Sequence, residues 1–225
     1  MVSNNRNSGL AISAAGESAA LTPPRWAGVL AQVCAILVIG IALLAIAGWL
    51  NGNRLLTAFG GDLYSMAPRT TIVFLAYGAS LLLLASSQKR RHKSIFILIT
   101  IGLVPALARL IEYAIHAEFG FIEQHLPSTQ EAFSLAPTGR MAFPTAISFV
   151  LTAGAMVAVL FAQSKRAIRF VTTGLATTVM VLGLTFLLGY AYGLPLLRNT
   201  SSVPMALNTS IAFLILGIGL SALGI

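Results

Sequence analysis

Met66-Ala67-Pro68-Arg69-Thr70-Thr71-Ile72-Val73-Phe74 returns as Met141-Ala142-Phe143-Pro144-Thr145-Ala146-Ile147-Ser148-Phe149, and again as Met205-Ala206-Leu207-Asn208-Thr209-Ser210-Ile211-Ala212-Phe213. The shared pattern is M-A-x-x-T-x-I-x-F, and each copy opens a long apolar run. On a helix, residues four apart share a face, so Thr70 with Phe74, Thr145 with Phe149 and Thr209 with Phe213 line up. One turn further the same stripe reaches Gly78, Ala153 and Gly217. A stripe of hydroxyl, aromatic ring and small residue suits close helix packing in lipid. The small residue lets backbones approach, and the hydroxyl can hydrogen-bond across the contact. Internal repeats set architecture, so these three copies are the frame for everything else.

Composition fixes the solvent. The chain is 57% hydrophobic and 9% charged, with a mean hydropathy of +0.87. That places it in the membrane class rather than among soluble domains. The net charge of +8 therefore gives no reason to expect nucleic acid as a partner; the lipid bilayer is the expected one. The single cysteine, Cys34, excludes an internal disulfide and a C-x-x-C site. His92, His116 and His125 share no metal-ligand spacing, so neither a metal nor a cofactor is expected.

Outward from the repeats, six apolar segments predict helices at about 26–50, 68–87, 94–117, 141–162, 170–192 and 205–225. Residues 1–24, rich in Ser, Asn, Gly and Ala and closed by Pro23-Pro24, read as a disordered cytoplasmic tail. Trp26 and Trp49 mark the first helix as interfacial anchors do. Ala45-Ile46-Ala47 looks like a signal-peptidase site but lies within too long an apolar run, so an uncleaved anchor is expected. The polar turn at 51–65 and the long polar segment at 118–140 separate helices, as do basic turns around Lys89-Arg90-Arg91 and Lys165-Arg166.

The expected fold is an all-α membrane protein whose domain, 25–225, holds six transmembrane helices in three repeated hairpins, at about 26–87, 94–162 and 170–225. Arg6, Arg25, Lys89, Arg90, Arg91, Lys93, Lys165, Arg166 and Arg169 fall on one side of it, against Arg54, Arg69, Arg140 and Arg198 on the other. The positive-inside rule then places both termini in the cytoplasm.

The repeats resemble the N-terminal membrane region of many bacterial sensor histidine kinases and diguanylate cyclases, where motifs like M-x-P-N-T-A-x-x-F-L-L-x-G-x-x-L-L open successive helices. The Thr and Phe positions match in all three copies, and Asn208-Thr209 keeps the Asn-Thr pair that Arg69-Thr70 and Pro144-Thr145 lack. Gly139-Arg140-Met141 resembles the family's G-R-M, and Leu188-Gly189-Tyr190-Ala191-Tyr192-Gly193 its L-G-Y-x-Y-G. The resemblance covers 26–225 and rests on packing and boundary residues. It implies a sensing or anchoring module in the bacterial inner membrane, with a cytoplasmic signalling domain and a homodimer as compatible partners. These 225 residues carry no kinase H-box, GGDEF or nucleotide-binding glycine motif, so no enzymatic activity and no catalytic residue are expected in them. A small multi-pass transporter or channel is the alternative reading.

One helix carries ionisable residues near membrane depth. Arg109, Glu112 and His116, spaced i, i+3, i+7, line one face of the third helix, with Tyr113 one turn on from Arg109. Charges there are costly without partners, so Arg109 and Glu112 are expected to meet each other or a neighbouring helix. They are the candidate ligand or sensing residues, with Tyr113 and with His116 near the outer mouth. A helix-stabilising pair snorkelling to water is the plainer alternative. Pro105 is expected to kink this helix and free a carbonyl near Ile101. Asn208 is expected to cap its helix.

Overall fold

A computed structural model describes residues 25–60, 63–86, 92–115, 141–161, 166–193 and 204–224. All regular structure among them is helical: α1 (Arg25–Leu50), α2 (Arg54–Ala58), α3 (Pro68–Ala85), α4 (His92–Ala114), α5 (Phe143–Phe161), α6 (Arg166–Ala191) and α7 (Leu207–Gly224). Six of the seven are long and apolar enough to cross a membrane; α2 is the exception. The tail at 1–24, the basic run at 88–91 and the polar segment at 118–140 lie outside the described residues.

The six long helices form a closed ring. Each packs on the next, α1 on α3, α3 on α4, and so on to α6 on α7, and α1 on α7 closes the circle. Three pairs are antiparallel by direct contact. The indole of Trp49, near the end of α1, bonds to Met66 just before α3, while Gly28, near the start of α1, lies against the Ala85 carbonyl at the end of α3. Tyr190 likewise reaches Met205, and Arg169 reaches Gly224. Arg109, late in α4, reaches Met141 just before α5.

The helices that follow the repeat motif are the inner ones. Over their most apolar stretches α3, α5 and α7 bury 56%, 44% and 61% of their residues, against 33%, 22% and 28% for α1, α4 and α6. Phe74, Phe149 and Phe213 meet at the centre, each pair of ring centroids 4.8 Å apart and inclined by 56° to 65°. Edge-to-face arrangements of this kind contribute about 0.5–1.5 kcal/mol per pair beyond area burial. The outer helices turn aliphatic side chains outward, among them Val33, Ile36, Val104, Ile111, Val181 and Leu188.

The three motifs run in one register. Each inner helix begins at the third motif residue, Pro68, Phe143 or Leu207. The Met-Ala lead-in is therefore not helical, contrary to the expected starts at Met141 and Met205. The Ala carbonyl accepts the first helical bond in every copy: Thr71 N to Ala67 O at 3.1 Å, Ala146 N to Ala142 O at 3.1 Å, and Ser210 N to Ala206 O at 3.0 Å. Pro68 sits at the first helical position, where no donor is lost. Thr70, Thr145 and Thr209 are buried at these starts.

The stripe itself forks. Its Phe faces the centre, but Gly78 and Gly217, four on, face the outer helix of their own pair. A Cβ on Gly78 would come within 2.7 Å of Ile39 on α1, and one on Gly217 within 2.9 Å of the Ala176 carbonyl on α6. Neighbouring hydroxyls turn back on their own helix: Thr71 donates to Ala67 O, Ser148 to Pro144 O, and Ser210 to Ala206 O. Bonds between helices come from longer side chains instead.

Two further differences from expectation have simple causes. The turn at 51–65 contains α2, capped by Asn53, whose Oδ1 accepts from Leu55 N at 3.0 Å. And α6 starts at Arg166, inside the expected basic turn, so that Arg169 can reach the last carbonyl of α7.

Candidate functional site

The site lies at the end of the bundle that carries the motifs. There the lead-in leaves a carbonyl, that of the motif Met, with no partner inside its own helix. A side chain of the preceding outer helix supplies one in each pair. Trp49 Nε1 donates to Met66 O at 2.8 Å, Arg109 Nε to Met141 O at 2.8 Å, and Tyr190 OH to Met205 O at 2.7 Å. Trp49 is thus more than an interfacial anchor.

In the second pair the donor is charged. Tyr113, near the end of α4, is half-exposed and stacks on Phe143 at 4.4 Å, leaving the carbonyl to Arg109. A guanidinium at this depth needs a counter-charge. Glu112, one turn on, takes Arg109 Nη1 on Oε2 at 3.0 Å. Its other oxygen, Oε1, takes Arg69 Nη1 at 3.4 Å from the first turn of α3. The Arg69 and Glu112 side chains are 8% and 4% exposed and Arg109 16%, so the cluster does not snorkel to water.

The structure thus brings Arg109 and Glu112 together, sets Tyr113 beside them against α5, and adds Arg69. His116 lies outside the described residues. Arg69 escaped the sequence reading because it counted only as a basic residue outside the membrane. The signal was its motif position, directly before the buried Thr, where the other copies hold Pro144 and Asn208. Asn208 behaves in kind. It sits in the first turn rather than at the cap, which is Ala206, and its Nδ2 donates to Thr57 O at 2.7 Å, next to α1. Its Oδ1 takes Thr209 N at 3.0 Å.

Below the cluster, Tyr77 OH donates to Phe149 O at 3.3 Å and packs edge-on against the Phe149 ring. Gly102 gives Tyr77 its room, since a Cβ there would overlap the phenol ring. Three residues later α4 continues as helix through Pro105, which can donate nothing to Ile101 O. Chemically, the cluster can shift a carboxylate between two guanidiniums on different helices.

A scan against protein-family models, a search of curated proteins and a search of solved structures each found no match to this chain.

Proposed function

We propose that the chain is the membrane-embedded sensing or anchoring module of a bacterial signal-transduction protein, of the sensor-kinase type. On this reading the three antiparallel pairs are copies of one hairpin around a pseudo-threefold axis, in the inner membrane, with both termini cytoplasmic. The observation that carries the reading is the ion cluster Arg69–Glu112–Arg109, which joins two pairs at one end above an axis filled by three phenylalanine rings. A site at one end over a packed centre suits a bundle that reports a change in helix packing. Such a change needs a ligand or membrane state that favours one packing over another. A channel along the axis would have to displace all three rings, which weakens the transport alternative.

The test joins the chain after residue 225 to a cytoplasmic kinase reporter. Arg69, Arg109 and Glu112 are then replaced together by Met, which removes the charges while keeping bulk. Replacing a buried charged triad by apolar residues is often neutral or stabilising, so this variant should insert and fold. Loss of the reporter's response to membrane or periplasmic stimuli in the folded variant supports the sensing role. An unchanged response assigns the cluster to stability alone. Reporter fusions after Lys93 and after Gln130 should read opposite compartments, and the same compartment for both would sink the topology.

A further inference from the structure

We propose that the bundle opens at its motif end along one particular interface, that between the second and third antiparallel pairs, where α5 packs on α6. This goes beyond the sensing reading and does not depend on it.

The inference rests on what crosses each of the three interfaces between pairs. From the first pair to the second run the Arg69–Glu112 ion pair and the bond from Tyr77 OH to Phe149 O. From the third pair to the first runs the bond from Asn208 Nδ2 to Thr57 O. Arg69 and Asn208 hold the same motif position, and both reach the next pair in the same sense around the ring. The second copy has Pro144 there. Proline has no amide hydrogen, and its ring carries no polar atom, so no side chain at that position can bond to the third pair. Among the described residues, no side-chain hydrogen bond or ion pair joins α4 or α5 to α6 or α7.

Apolar contact does not substitute for the missing latch. In water it would be reinforced by the hydrophobic effect, but lipid tails are as apolar as the helix faces, and only dispersion remains. At this interface the contacts are of that kind, such as Gly154, whose Cβ would touch Leu175 at 3.4 Å. Among the described residues, two interfaces are latched and one is not. A membrane or ligand force at this end separates the unlatched one first, carrying the start of α5 away from α6 while Glu112 keeps α4 tied to α3.

Hydrogen exchange on the unmodified full chain in lipid nanodiscs tests this, because the first-turn amides of Thr71, Ala146 and Ser210 make equivalent bonds of 3.1, 3.1 and 3.0 Å. Exchange reports local opening. After correction for intrinsic rates, Ala146 should exchange at least about tenfold faster than both others. Equal protection at the three positions, or slower exchange at Ala146, overturns the proposal. Pro144→Asn restores a donor and should bring the α5 start down toward the α7 value; no change in that folded variant overturns the latch explanation. If Pro144→Asn does not fold, Asn208→Ala serves instead. It should raise exchange at Ser210 to the level of Ala146, and a Ser210 rate that stays put overturns the proposal equally.

Discussion

The middle of the inner helices and their first turns follow different rules. At the centre, three copies of one residue, Phe74, Phe149 and Phe213, meet at equal spacing. Five residues earlier, at one shared motif position, stand Arg69, Pro144 and Asn208, each with a different consequence. Close packing of three equivalent helices admits one solution, so the central residue repeats. A polar position at a helix start needs only some partner within reach, so it diverges once a neighbour changes. In the second pair Arg109, where the other pairs use an aromatic residue, donates to the Met141 carbonyl, and Glu112 balances its charge while also holding Arg69.

The largest way to break that contrast is Glu112→Gln. It leaves the buried Arg69 and the partly buried Arg109 guanidiniums without their carboxylate and should lower unfolding stability by about 3–5 kcal/mol, read by denaturant titration in micelles. A wild-type midpoint would mean that the cluster is not the buried network described. Next comes the centre. Phe74→Ala, Phe149→Ala and Phe213→Ala should each cost about 3 kcal/mol, as a large ring lost from a packed core does. Their near-equality is the point to check, and a spread as wide as the mean would deny the three helices equivalent roles.

Smaller in effect is Gly217→Leu, which should cost roughly 1–3 kcal/mol by overpacking. Its new side chain would meet the backbone of Ala176 and Met180, which cannot step aside. Leu83→Ile, at a half-buried site on α3, serves as the mild control, and a Gly217→Leu variant as stable as that control would remove the close approach of α7 and α6. The smallest is Tyr190→Phe, which deletes one bond to the Met205 carbonyl. Interhelical hydrogen bonds of this class average about 0.6 kcal/mol in membranes. A much larger loss would show that the carbonyl anchors carry more of the motif end than the central rings do.

The fold was largely legible in the sequence because lipid simplifies the problem. Backbone groups must be satisfied within each segment, so apolar runs of sufficient length become helices, and the three-fold return of Met, Thr and Phe marks the inner ones. The division of the stripe was not legible. Phe74 and Gly78 share a helix face, yet which neighbour each meets depends on how outer helices sit in the grooves between inner ones. Half of the site was legible by the same cost argument that paired Arg109 with Glu112. Arg69 was not, since a residue 43 positions away joins the cluster only through tertiary packing. The role of Asn208 was missed for the same reason: capping is a local inference, and its partner Thr57 lies 151 residues distant.

The contact between the first and last helices bears on biogenesis. Ala27, Ala31, Ala35, Ala42 and Ala45 give α1 a face of alanines with no accessible surface in the finished bundle. Part of that face is covered by α7, where Gly219 sits against Ala31 and Cys34 beside Leu81 of α3. Synthesis runs from one end of the chain to the other, so α1 is made about 160 residues before the α7 that packs on it. During that interval α3 can already pack on α1, while the part of the face that meets Gly219 lacks its α7 partner. Closure of the ring, through the contact of α7 with α1, therefore has to wait for the last helix.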